Sequence, residues 1–180
     1  HEAGMLCTLK HFPGHGDTLE DSHAGTATST KTWEEMKAVE LLPFEAGIAA
    51  GADVVMAAHI TTPNATEDGL PASLSYTMLT ERLRGELGFT GVICTDGLGM
   101  KAITDHYSPA EAAIAALDAG ADLLLLPADL QEAFDGVVAA VESGRISEER
   151  LDESVRRILT LKEKAGLSLR ASTPADTLLD

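Results

Sequence analysis

"PFEAGIAAGADVVM" (43–56) and "PAEAAIAALDAGADLLLL" (109–126) are two versions of one phrase. Each opens on a proline, continues through helix-forming residues, turns at Gly-Ala-Asp and enters a run of apolar residues. Proline suits the first turn of a helix and glycine ends one. A short apolar run after such a stop reads as a buried strand. The phrase is therefore one αβ unit used twice, and repeated αβ units build parallel sheets covered by helices. Two architectures fit: a (β/α) barrel and a doubly wound open sheet.

The same signals extend outward along the chain. Apolar runs at Met5–Leu9, Asp53–His59, Gly91–Thr95 and Asp122–Leu126 show no period-two alternation. Continuous apolar strands belong to parallel sheets buried on both faces. Helices are expected between them. Thr32 with Glu35 forms a capping box, and Ser108, Pro109 and Glu111 open another helix that Gly120 closes. Further helices are read at 43–50, 77–87, 130–143 and 148–164. Residues 1–167 read as one catalytic-domain piece, and the tail 168–180, "SLRASTPADTLLD", as a polar linker. A full eight-stranded barrel takes about 250 residues. Four strands in 180 residues are half of one, and the opening "HEAGMLC" reads as the interior of a longer polypeptide.

Composition narrows the partners. Twenty-nine acidic residues against 13 Lys and Arg give a formal net charge of -16. Nucleic acid and anionic membrane surfaces need basic patches, so both are disfavoured. No apolar run approaches the roughly 20 residues of a membrane span. Cys7 and Cys94 lie in apolar runs and are expected as buried thiols, with neither a disulfide framework nor a zinc spacing.

In αβ folds of this kind the chemistry sits at the carboxyl ends of the strands. Those ends carry Lys10 and His11, then His59, then Asp96, then Pro127. Asp96 in "VICTDGLGM" is either a site carboxylate or the N-cap of a helix beginning near Leu98. His59 either lines a pocket or is a satisfied strand-end histidine. Trp33 reads as packing rather than as a sugar platform. In "LKHFPGHGDTLEDSH" (9–23), Asp21 and His23 stand two apart. In an extended segment they point the same way, and a carboxylate beside an imidazole suits acid/base work. The bland alternative is a solvated loop. His11, His15 and His23 match no zinc spacing, and Lys10 would repel a cation. The segment also lacks the Gly-Lys-Ser/Thr ending of a phosphate loop.

Taken together, "KHFPGHGDTLEDSH" (10–23), "VMAAHI" (55–60) and "GVICTDGLGMKAI" (91–103) resemble the family 3 glycoside hydrolases, with the β-N-acetylglucosaminidase (β-N-acetylhexosaminidase) branch the nearest match. The likeness continues to "SVRRILTLKEKAGL" (154–167). It implies a TIM-like (β/α)8 barrel, of which these residues are the C-terminal half, about strands 5–8. It also implies a retaining double displacement on a terminal N-acetylglucosaminide of cell-wall muropeptides or chitooligosaccharides. Asp96 would be the nucleophile, His23 the acid/base and Asp21 its orienting partner, carried on a mobile loop. Lys10 and His11 would hold sugar hydroxyls, with His59 alongside. A second acid often follows the nucleophile in this family; here that position is Gly97. Most retaining glycosidases use two carboxylates. A neutral imidazole in place of the second leaves room for an incoming anion, so phosphate as acceptor, and a phosphorylase, is the alternative to water. A catalytically incomplete sugar-binding fragment is a further one. No metal and no organic cofactor are implied, and the compartment is left open.

Overall fold

A computed structural model describes residues 1–18 and 27–167. Strands β1 (Thr8–Phe12), β3 (Val54–Ala57) and β5 (Val92–Thr95) form a parallel sheet in that spatial order. The register pairs Thr8 with Val54 and Val54 with Val92. The fourth apolar run continues the series. Leu123 bridges Cys94, the Asp122 and Leu123 amides donate to Ile93 O, and the Thr95 amide donates to Leu123 O at 3.0 Å. Strand order thus follows chain order without the reversal that marks a doubly wound sheet. The chain is an α/β fold of the TIM-barrel kind, a partial barrel.

Two expectations shift. The first strand starts three residues later than the apolar run suggested, because Met5 is 70 % exposed while Phe12 is wholly buried and pins the strand. Lys10 and His11 therefore lie within β1 rather than after it. The fourth run does not form a regular strand: Leu125 N donates to the Thr95 side chain instead of the backbone, and Leu126 has a positive φ of 45°. Cys94 is buried as expected, but Cys7 is exposed. The tail 168–180 lies outside the described residues.

Helices follow their caps. Helix α1 (Trp33–Ala38) starts on a Thr32–Glu35 capping box, and α2 (Leu42–Ala49) follows closely. A π-helix spans Thr77–Glu86, and the short α3 covers Lys101–Thr104. Helix α4 (Pro109–Ala119) has the Ser108–Glu111 capping box and ends on left-handed Gly120, φ 113°. Helices α5 (Leu130–Glu142) and α6 (Glu148–Lys164) complete the series. Trp33 is 4 % exposed, donates to Glu86 Oε1 at 2.9 Å and carries Arg82 over its ring at 5.0 Å. It ties α1 to the π-helix, as a packing residue does.

A second, two-stranded parallel sheet, β2 (Ala27–Thr28) on β4 (Ile60–Thr61), stands just beyond the carboxyl end of β3. Nothing in the sequence pattern announced these two-residue strands.

The Gly-Ala-Asp turns serve the other end of the sheet. Asp122 has a fully buried side chain. Its Oδ2 accepts from Arg84 at 2.5 Å and from Ile93 N at 2.9 Å, and its Oδ1 accepts from Ser154 at 2.6 Å and Arg157 at 3.1 Å. Asp53, 2 % exposed in its side chain, pairs with Lys164 and His1 and accepts from Cys7 N. Both repeats therefore fasten α6 to the amino-terminal ends of the strands.

Candidate active site

Asp96 follows β5 directly, and its backbone amide donates to Ala57 O at 2.8 Å, so the start of its loop is locked to β3. The Gly97 amide donates to Asp96 Oδ1 at 2.8 Å. The other oxygen, Oδ2, lies 3.9 Å from His11 Nε2, and the side chain keeps 15 % of its surface. The N-cap alternative does not describe this residue. The next helix, α3, begins at Lys101 with Met100 in the cap position. The following turn is tied to the fourth run by Leu98 N to Leu125 O and Gly99 N to Leu126 O. Asp96 is thus a fixed carboxylate with one oxygen held by an amide and the other turned towards β1.

His11 and Lys10 come from β1, on the far side of β3 from β5. His11 is partly buried, and Lys10 is exposed. The His11 and His15 rings meet edge to face at 5.8 Å. Peptide bonds Lys10–His11 and Phe12–Pro13 are cis. His15 shapes the turn, since its Nδ1 lies 3.1 Å from Thr18 Oγ1, which donates in turn to His15 O. The structure thus brings Asp96 and His11 together at one mouth.

His59, expected to touch substrate, is placed differently. It has no accessible surface, and both ring nitrogens are taken. Nε2 lies 2.9 Å from Gly97 O and Nδ1 2.7 Å from Ser73 Oγ. A carbonyl only accepts, so Nε2 carries the proton and Nδ1 accepts from the serine hydroxyl. Burial pushes the His59 pKa below its ordinary value, against the opposing pull of Gly97 O and Asp96. A neutral His59 props the turn that carries Asp96 from beneath. Ser73, its partner, was not legible in the sequence, since a serine 14 residues away carries no mark of the contact.

Asp21 and His23 lie outside the described residues. Their flanks do not. Asp17 Oδ2 accepts from Ser29 Oγ at 3.4 Å and Asp17 Oδ1 lies 3.8 Å from Lys31 Nζ, which also pairs with buried Glu40. The two sides of segment 19–26 are therefore joined at its base. This Asp17–Lys31–Glu40 tie was also missed by the sequence reading, as nothing in the spacing of these residues signals it.

Parallel strands in chain order, a fixed carboxylate after β5 and an imidazole on β1 facing it across the mouth define a barrel protein of the kind that carries its chemistry at the strand mouths. Residues 1–161 match the model of the glycosyl hydrolase family 3 N-terminal domain, and the chain belongs to that family. A beta-hexosaminidase of Stenotrophomonas maltophilia (strain R551-3) is 45% identical over 139 residues, 76% of this chain and 41% of its own length. The structure of a family 3 beta-N-acetylglucosaminidase from Paenibacillus sp. str. FPU-7 superposes with a TM-score of 0.90 at 46% identity, over 99% of this chain and 35% of that one. A beta-glucoside phosphorylase bound to 2FGlc superposes with a TM-score of 0.87 at 33% identity, over 95% of this chain and 32% of that one. The chain thus spans about two fifths or less of the length of these relatives.

Proposed function

We propose that this chain supplies the nucleophile and part of the sugar-binding edge of a retaining exo-β-N-acetylglucosaminidase acting on cell-wall muropeptides or chitooligosaccharides. The observation that carries the reading is the Asp96 carboxylate, fixed by Gly97 N and facing His11 across the mouth of β1 and β5. Asp96 Oδ2 attacks the anomeric carbon and forms a glycosyl-enzyme as the aglycone leaves. His23, oriented by Asp21, gives its proton to the leaving oxygen and then takes one from water. This acid/base assignment rests on the resemblance of "EDSH" (20–23) to the branch motif. Lys10 and His11 hold sugar hydroxyls while the ring distorts. His59 acts one step back, through the Gly97 carbonyl.

Turnover of an aryl β-N-acetylglucosaminide by the full-length polypeptide tests the reading. Asp96→Asn is expected to lose nearly all activity. His23→Ala is expected to lose about 10²–10⁴-fold, the usual weight of a positioned acid/base. Unchanged turnover in Asp96→Asn removes the assignment. A second reading, transfer to phosphate, is favoured by the likeness to the phosphorylase. Product analysis with and without inorganic phosphate separates the two: free sugar in both cases for a hydrolase, sugar 1-phosphate for a phosphorylase.

A further inference from the structure

We propose that His1, Cys7 and Asp53 form a binding site for a divalent transition-metal ion, zinc in the first place, at the end of the sheet opposite Asp96. His1 Nε2 lies 2.8 Å from Asp53 Oδ2 and 3.6 Å from Cys7 Sγ. All three donor atoms fall within 4.8 Å of one another. Tetrahedral zinc, with Zn–N about 2.0 Å and Zn–S about 2.3 Å, sets its donor atoms about 3.3–3.5 Å apart. The sulfur–nitrogen spacing already fits. The nitrogen–oxygen pair has to open by about half an ångström to reach that spacing, and the His1 side chain, 37 % exposed, has room to do so.

The donor set selects the ion. Thiolate, imidazole and carboxylate together suit zinc and its transition-metal neighbours, whereas magnesium and calcium take oxygen alone. One ligand is held in advance: the Asp53 side chain is 2 % exposed, and Cys7 N donates to its Oδ2 at 2.8 Å. That bond comes from the backbone of Cys7 and ties the two ligand residues together. Three protein ligands leave one position for water.

Binding releases the Cys7 thiol proton to solvent, and the imidazole proton passes from His1 Nε2 to Nδ1, so the thiolate and the Asp53 carboxylate together offset the two positive charges that enter. Lys164 opposes the ion, since its ammonium pairs with Asp53 Oδ1. It competes only through the other oxygen, and its side chain is 53 % exposed and free to turn to solvent. The ion would clasp the segment ahead of β1 to the turn ahead of β3, closing a loop of 52 residues. It would play no part in sugar chemistry, and the proposal stands or falls independently of that reading.

Cobalt(II) titrated into the reduced protein gives the test, read by the near-ultraviolet sulfur-to-cobalt charge-transfer band. The band is expected to saturate in the parent and in Cys94→Ser, to vanish in Cys7→Ser, to need at least tenfold more cobalt in His1→Gln, and to be bleached by zinc. Neither Cys7 nor His1 is buried, so both variants should melt as the parent does. No band in the parent, a band that survives Cys7→Ser, or an unchanged titration in His1→Gln overturns the proposal.

Discussion

Asp96 and His59 divide one task between a group that meets the ligand and a group that never does. Asp96 keeps part of its surface at the strand mouth, while His59 has none and spends both nitrogens on Gly97 O and Ser73 Oγ. Burial lowers the His59 pKa below the ordinary 6.5. The unfolded chain therefore takes up a proton at about pH 6.5 that the folded protein refuses, and stability falls as pH drops through that value. The parent should lose denaturant resistance between about pH 7.5 and 5.5, and His59→Gln should flatten that slope. An equal drop in stability between the two pH values in parent and His59→Gln, read from urea titrations, would dismiss His59 as the source. The residues themselves were largely legible, because an acid after a buried strand is conspicuous and so is an imidazole beside it. The role of His59 was not, since its partners sit 14 and 38 residues away. Its sequence neighbours say nothing about what either nitrogen meets.

Elements were legible where their ends carry chemistry. Capping boxes at Thr32 and Ser108, and Gly120 in the left-handed region, place α1 and α4 within a residue or two. The first strand was misplaced because apolar character does not distinguish Met5, which is exposed, from Phe12, which is buried. The short β2–β4 pair is held by backbone bonds and by the Thr28–Thr61 hydroxyl contact at 2.8 Å, and threonines 33 residues apart carry no mark of that contact. The most informative element-level signal was the repeated Gly-Ala-Asp, whose aspartates end up as anchors for α6. Asp122 meets Arg84, Arg157 and, at 3.9 Å, Arg150. Removing this carboxylate strands partly buried guanidinium groups, so Asp122→Ala should cost about 3–5 kcal/mol of stability. Denaturant unfolding measures it, and a loss under 1 kcal/mol would mean that the cluster is mostly solvated. Gly136 is a quieter contact of the same kind: a Cβ there would lie 2.5 Å from Ala110 Cβ, so the glycine lets α5 cross closely over α4.

At the scale of the molecule, four successive staves stand in chain order, with Asp96 and His11 at one end and ion pairs at the other. The two ends do different work. The carboxyl end leaves Asp96 accessible, while the amino end holds the Gly-Ala-Asp carboxylates against α6. A parallel αβ sheet could be read from the repeat, but strand order, and with it the choice between barrel and doubly wound sheet, could not, because it depends on which strand pairs with which. Ending the chain at Arg145 removes Arg150, Ser154, Arg157 and Lys164 together, and the product should lose its cooperative thermal transition in calorimetry. A truncated chain that still melts sharply would show that α6 is dispensable. These ion pairs also impose an order on biosynthesis. Asp53 and Asp122 precede their partners Lys164 and Arg157 by 111 and 35 residues, so both pairs wait on the ribosome until α6 has left the exit tunnel.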